Sequence, residues 1–145
     1  MSITGNFYKN KNDTEVNFST LTLSENSIQN VKTLSKITPQ IFSVQGDLEL
    51  PFGNTERVLS EIEEFTAEIV NDGKIPLMIG GEHLVTLGAV RAVAKKYPDL
   101  HIIHFDAHTD LREDYLGEPL SHATVIRRLW DIVDDGKIFQ FGIRS

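Results

Sequence analysis

The chain has 145 residues, 40% of them hydrophobic, and carries 14 basic against 21 acidic residues for a net charge of −7. This length suits one domain with its own core, and an acidic chain without a block of Lys or Arg is a poor candidate for binding nucleic acid or an anionic membrane. Because cysteine is absent, disulfides, thiolate catalysis and zinc–sulfur sites are excluded, and any metal must be held by oxygen and imidazole ligands.

The first 44 residues are rich in Asn, Ser and Thr. They contain one segment typical of a strand, EVNFSTLTL at 15–23, and one typical of a helix, SENSIQNVKTLSKI at 24–37. The polar start and the lack of a long apolar run predict a cytoplasmic, soluble protein with no membrane span. The segment QGDLELPFGN at 45–54 predicts a loop, since Gly and Pro punctuate it.

From Thr55 onward the sequence alternates between helical and strand-like periods. Val58, Ile62, Phe65 and Ile69 recur at helical spacing, and Gly73 can end that helix. The apolar segment IPLMIG at 75–80 predicts a short strand.

The alternation continues to the end of the sequence. A second helix is predicted from Leu84 to Lys96, before Pro98, followed by a strand at HIIHF, 101–105. The third predicted helix precedes Gly136, and KIFQFGI at 137–143 is the last predicted strand. The apolar residues expected on that helix are Val125, Ile126, Leu129, Ile132 and Val133. Apolar strands separated by helices predict an α/β fold, a three-layer α/β/α arrangement with a parallel sheet covered on both faces.

Ligand-type side chains follow two of the predicted strands. If the chain stays extended after HIIHF, Asp106, His108 and Asp110 share one face, and His83 follows the neighbouring strand. In open parallel sheets, ligands bind beyond the carboxyl ends of the strands. The spacing therefore predicts a metal site in which Asp106, His108 and Asp110 are ligands of one hard cation or parts of the shells of two, with His83 as a further ligand. These ligand types suit Mn²⁺ or Fe²⁺.

A plainer interpretation of Asp-x-His-x-Asp is turn chemistry or helix capping. It is weakened by the context, because Gly-Gly-Glu-His precedes the motif by one helix and Ser121-His122 follows it by one loop. His104 is predicted to be a hydrogen-bonded core residue rather than a ligand, and Glu82 to support its loop.

Three motifs together, GGEHLVTLG, HFDAHTDLR and LSHATVIRR, resemble the ureohydrolases, the arginase and agmatinase family. The resemblance implies an arginase-like fold, two Mn²⁺ ions and hydrolysis of a guanidinium group to urea. It implies that His83, Asp106 and Asp110 bind one ion and that His108, with a bridging Asp106, binds the other. Asp110 would also orient the attacking hydroxide, and His122 would be the proton-shuttling catalytic histidine.

The resemblance covers about residues 45–145, and residues 1–44 match poorly. The family's later Asp-x-Asp motif and substrate-binding glutamate find no counterpart in the sequence. We therefore expect a single, incomplete family domain over 1–145. The resemblance implies that it binds a small cationic guanidinium substrate and assembles as a trimer or hexamer. The 145-residue chain alone is expected to be inactive and to bind metal weakly.

The acidic loop LREDYLGEPL carries Glu113, Asp114 and Glu118, which favours a substrate with a second positive charge. Agmatine, hydrolysed to putrescine and urea, is thus the preferred substrate. Arginine, guanidinobutyrate and formiminoglutamate are the alternatives within the family. A non-catalytic metal-binding or interaction module is the alternative from another class, and a related deacetylase site is disfavoured by the GGEH and SHAT motifs.

Overall fold

The computed structural model describes residue 45 and residues 47–145. The predicted strand at 15–23 and helix at 24–37 lie outside the described residues. Residues 45 and 47–49 belong to one unit and contain no helix or strand, while residues 50–145 belong to a second, compact unit that contains all the elements below. Within the described part of the chain, no helix is long and apolar enough to cross a membrane.

Helix α1 spans Thr55–Asn71, as the periodicity predicted. The Asn54 side chain caps its start by accepting a hydrogen bond from the backbone N–H of Arg57 at 3.0 Å. At its end, the N–H of Gly73 donates to the carbonyl of Val70 and the N–H of Lys74 to that of Ile69. This is a Schellman motif, and it requires the positive φ of 73° that Gly73 adopts.

The buried face of α1 is offset from the predicted one. Its buried residues are Leu59, Ile62, Thr66 and Val70. Val58, Phe65 and Ile69 are only half-buried and lie beside that face. Helix α2, Val85–Lys96, packs against it. The two helices approach so closely at Gly88 that a Cβ there would lie 2.7 Å from the carbonyl oxygen of Leu59.

The predicted strand at 75–80 is wrong. The segment carries no strand assignment, and Ile75 and Leu77 are 55% and 51% exposed. A strand needs a hydrogen-bonded neighbour, and within residues 50–145 the sheet has only the two strands described next. Apolar composition indicated a buried segment, but it could not supply the neighbouring strand that burial and pairing require.

Strands β1, Ile102–Phe105, and β2, Ile138–Phe141, pair in parallel, with Ile102 opposite Ile138 and Phe105 opposite Phe141. This pairing and the surrounding helices confirm the predicted α/β fold with a parallel sheet. One face carries the buried side chains of Ile102 and His104. The expected cover of the opposite face is not present among the described residues, where Phe105 and Phe141 stack at 5.4 Å and are 67% and 51% exposed.

Helix α3, Val125–Trp130, is shorter than predicted, because Ile132 and Val133 follow it in a turn. The N–H groups of both residues still donate to the carbonyl of Leu129, and Val133 remains buried. The core lies between the helices and the covered face of the sheet. It comprises Leu59, Leu84, Leu87, Val90, Leu100, Ile102, Val125, Ile126, Leu129 and Val133.

Candidate metal centre

Four ligand-type side chains converge beyond the end of β1. His83, His104, Asp106 and Asp110 each offer one ligand atom, and these atoms lie within 4.8 Å of one another. His83 precedes α2, His104 lies in β1, and both carboxylates follow β1 in the chain. Three of the four metal ligands expected from the sequence therefore come together, and His104 takes the place expected for His108.

His83 and Asp110 form the closest pair. The Nδ1 atom of His83 lies 2.7 Å from a carboxylate oxygen of Asp110, and both side chains are about nine-tenths buried, at 10% and 9% exposure. Asp110 has a positive φ of 51°. Its carbonyl accepts a hydrogen bond at 3.1 Å from the N–H of Arg127, which fixes this turn against α3.

The backbone of residues 106–110 does not continue β1, so the expected alternation of side chains fails there. The N–H of His108 donates to the Asp106 carboxylate at 2.9 Å, and the His108 side chain is 68% exposed, with its Nδ1 3.3 Å from the same oxygen. This local bond is the turn chemistry that the plainer interpretation proposed for the motif. It leaves His108 outside the cluster but next to Asp106.

His104 is buried and hydrogen-bonded, as the sequence predicted. It is 1% exposed, its Nδ1 lies 3.0 Å from the amide nitrogen of Gln140, and its ring stacks on that of His83 at 5.3 Å. What the sequence interpretation missed is its position among the ligand-type groups. The signal was available, since residues 104 and 106 are two apart across a strand end and therefore lie on the same side.

The cluster perturbs two of its members. Burial, together with the charge of His83, lowers the pKa of His104, although Asp106 and Asp110 act in the opposite direction. For Asp106, burial alone would raise the pKa of the carboxyl. The hydrogen bond from the His108 N–H and the charges of His104 and His83 outweigh burial and lower that pKa.

The donor set fits a divalent cation. Nε2 of His83 is buried and has no hydrogen-bond partner among the described residues, an arrangement that normally calls for an explanation such as a bound ion. The remaining ligands are carboxylates. Imidazole and carboxylate without thiolate suit Mn²⁺, Fe²⁺ or Zn²⁺.

A cavity of about 740 Å³ opens beside the cluster and is lined by His83, Asp106, His108, Asp110 and His122, among others. His122 lies in the turn that precedes α3, and its ring meets the Tyr115 ring edge-on at 5.2 Å. Every residue that the sequence singled out as a ligand or catalytic group thus faces one cavity.

Two supporting acidic residues have defined partners. The Glu82 carboxylate accepts a hydrogen bond from the N–H of Leu84 at 2.6 Å, which confirms its predicted role in supporting the loop. In the acidic loop, Glu113 binds Arg127 at 2.7 Å and Arg128 at 2.9 Å. Because two arginines neutralise Glu113, this carboxylate attracts a cationic substrate less strongly than the sequence alone suggested.

Known proteins are similar to this chain in sequence. The model of the arginase family matches residues 18–145, whereas the motifs placed the resemblance from about residue 45. The chain is 57% identical over 100 residues to the agmatinase of Bacillus anthracis, an alignment that covers 69% of this chain and 34% of that protein. It is 38% identical over 102 residues to the mitochondrial guanidino acid hydrolase of Homo sapiens, covering 69% of this chain and 29% of that protein.

A solved structure shares the fold as well. The crystal structure assigned as an agmatinase from Clostridium difficile superposes with a TM-score of 0.68 at 65% identity, over 70% of this chain and 37% of that one. The chain belongs to the arginase family. It spans about a third of the length of the curated relatives that it matches.

Proposed function

We propose that this chain is part of a ureohydrolase of the agmatinase type, which hydrolyses agmatine to putrescine and urea with Mn²⁺ as its cofactor. The observation that carries the proposal is the convergence of His83, Asp106 and Asp110 on one cavity that His122 also lines. The identity of 57% to an agmatinase supports the same reaction class.

In this proposal His83, Asp106 and Asp110 would hold one ion, and Asp106 together with His108 would hold a second. His108 would reach this position by side-chain rotation, which its 68% exposure permits. When bound, the divalent ions would lower the pKa of water and so supply a nucleophile near neutral pH.

The chain's own residues orient the reactants and move the proton. The carboxylate of Asp110 can accept a hydrogen bond from the attacking water, since its position is fixed by His83 and by the backbone of Arg127. His122 lies exposed in the cavity lining, outside the ligand cluster, where an imidazole can donate a proton to the departing amine.

The choice of agmatine rests on sequence similarity. The cavity lining includes Asp106, Asp110 and Arg144, but bound divalent ions would offset the charge of these two carboxylates, so the charge of the lining does not decide between agmatine and a guanidino acid. The relatives include both an agmatinase and a guanidino acid hydrolase, and the agmatinase has the higher identity.

Assembly and location belong to the same proposal. We propose a cytoplasmic homo-oligomer, a trimer or hexamer, that acts on a small guanidinium substrate rather than on nucleic acid or a membrane. The net charge of −7 supports this choice of partner. Light scattering of the complete protein would test the oligomeric state.

The deciding experiment measures urea release from agmatine, arginine and 4-guanidinobutyrate, with and without Mn²⁺, for the 145-residue chain and for a complete protein that contains it. The proposal predicts Mn²⁺-dependent urea release by the complete protein, with the highest kcat/KM on agmatine. Mn²⁺ binding without urea release from any substrate would instead identify a metal-binding module without hydrolytic activity.

A further inference from the structure

The side chain of Gln140, in β2, contacts both His104 and the backbone of Thr109. Its amide nitrogen lies 2.7 Å from the carbonyl oxygen of Thr109 and 3.0 Å from Nδ1 of His104. Residue 140 is the register partner of His104 in the parallel pair, so the contact is built into the sheet.

The two contacts together fix the chemical state of His104. A backbone carbonyl only accepts hydrogen bonds, so the amide nitrogen rather than the amide oxygen of Gln140 must face Thr109. The same nitrogen carries a second hydrogen, and it points at Nδ1 of His104. That atom must therefore accept, which leaves the proton of the neutral imidazole on Nε2.

We propose that Gln140 holds His104 as the Nε2–H tautomer, so that His104 is a positioning residue that donates to Asp106 and is not a metal ligand. Nε2 of His104 is buried, has no other partner among the described residues and lies 3.6 Å from a carboxylate oxygen of Asp106. A small movement of the carboxylate brings these atoms into hydrogen-bond distance. The assignment of the tautomer is independent of the proposed function, whereas its consequence for metal binding rests on it.

The consequence is a division of roles within the cluster. A protonated nitrogen cannot ligate a metal, so His83, Asp106 and Asp110 remain as the ligands of the first ion. His104 would then orient the Asp106 carboxylate by hydrogen bonding to the carboxylate oxygen that lies nearest to its Nε2. Outer hydrogen bonds of this kind typically account for about 10–100-fold in metal affinity.

The tautomer can be read directly from long-range ¹H–¹⁵N correlation spectra of the ¹⁵N-labelled, metal-free chain. We expect a bare Nδ1 and a protonated Nε2 for His104. His101, which directly precedes β1, provides an internal control with the opposite pattern, because its Nδ1 faces the carbonyl of Asp99 at 3.0 Å and must donate. A protonated Nδ1 on His104 would overturn the proposal.

The Gln140→Glu variant tests whether Gln140 determines the tautomer of His104. A carboxylate at this position can only accept, so the proton of His104 should move to Nδ1 while the His101 signals stay unchanged. The isosteric apolar control, Gln140→Met, should remove the preference without reversing it. If His104 kept its Nε2–H tautomer in both variants, Gln140 would not be its determinant.

In a complete protein that contains this chain, Mn²⁺ titration followed by electron paramagnetic resonance separates a positioning role from ligation. His104→Gln retains an acceptor for Gln140 and a donor for Asp106, so its Mn²⁺ affinity should stay within about threefold of that of the parent, while His104→Leu should lose about 10–100-fold. Equal losses in the two variants would show that His104 is a ligand. These readouts need no turnover, so a failure of the agmatinase assignment would leave the result of the tautomer test intact.

Discussion

Nδ1 of His83 lies 2.7 Å from a carboxylate oxygen of Asp110, and both side chains are about nine-tenths buried, although one residue lies before α2 and the other after β1. This contact holds the imidazole of His83 and the carboxylate of Asp110 together at the position where both would bind a metal. We expect Asp110→Asn to reduce Mn²⁺ affinity by more than the roughly 10–100-fold that loss of an outer partner costs, because a charged ligand disappears. Calorimetric titration of Mn²⁺ would measure this loss.

The matched control is Asp114→Asn. It makes the same change of charge in the acidic loop, where Asp114 accepts a hydrogen bond from the N–H of Gly117 at 3.0 Å, outside the cluster. Equal affinities of the two variants for Mn²⁺ would contradict the role of Asp110 as a ligand.

His122 and His108 should fail in different ways in the complete protein. His122→Asn is expected to lower kcat by about 10²–10⁴-fold with metal content unchanged, because it removes only a proton donor. His108→Asn should lower metal content and activity together, and added Mn²⁺ should restore part of the activity. Metal analysis beside urea-release kinetics distinguishes them, and loss of metal from His122→Asn would refute its assignment as a proton shuttle.

Thr124 should stabilise the turn that carries His122. Its buried hydroxyl donates to the carbonyl of Pro119 at 2.8 Å and accepts from the N–H of Ser121 at 3.0 Å, which shapes the turn before α3. Thr124→Val should lower the free energy of unfolding by about 1–3 kcal/mol, since the N–H of Ser121 and the carbonyl of Pro119 both lose their hydrogen bond to the hydroxyl. Thr124→Ser keeps the hydroxyl and should lose less. Denaturant titration of both variants provides the comparison, and an equal loss would assign the effect to packing.

The contact between α1 and α2 should not tolerate a methyl group at Gly88. Alanine favours a helix by about 1 kcal/mol, but its Cβ would lie 2.7 Å from the Leu59 carbonyl oxygen and 3.0 Å from Ile62. Overpacking of this kind costs about 1–3 kcal/mol, so Gly88→Ala should be destabilising despite its helix propensity. Gly81→Ala, whose methyl meets nothing within 4 Å, is the control in thermal melts. A stabilised Gly88→Ala would show that the helices can separate at little cost.

Glu113 gives a defined pH dependence. Hydrogen bonds from Arg127 and Arg128 lower the pKa of its carboxyl below 4.5. The folded state therefore binds fewer protons than the unfolded state, and this stabilisation is present above pH 4.5 and is lost as the pH falls through the lowered pKa. The thermal unfolding midpoints of the parent and of Glu113→Gln should differ above pH 4.5 and converge as the pH falls through the lowered pKa of Glu113. The difference should also shrink in high salt, since the pair is exposed. A difference that is constant with pH would exclude ionisation of Glu113 as its cause.

The sequence predicted the helices and the two paired strands well because their periods and end signals are local. Gly73 ends α1 through its own backbone geometry, and Asn54 starts it. The sequence could not predict whether residues 75–80 would pair with a neighbouring strand, since strand pairing depends on residues distant in the chain. The buried face of α1 moved by one residue, to Leu59, because the position of α2 decides which flank of an amphipathic helix is covered.

In the candidate site, too, features set by local motifs were predicted, and features set by contacts between distant residues or by the local backbone conformation were not. Asp106, Asp110 and His83 were predicted from motif spacing and order, and their side chains converge. The exposed orientation of His108 was not predicted, because an extended chain was assumed where Asp106 hydrogen-bonds to the His108 backbone. The role of Gln140 could not have been predicted either, since it depends on the register between β1 and β2.

The carbonyl of Ala107, between the two carboxylate positions, accepts hydrogen bonds from the N–H of Arg144 at 3.0 Å and from the Ser145 hydroxyl at 3.2 Å. Arg144 and Ser145 therefore hold the loop that bears Asp106 in place through its backbone. A change that displaces these two residues would release the Ala107 carbonyl and so alter metal affinity without touching any ligand.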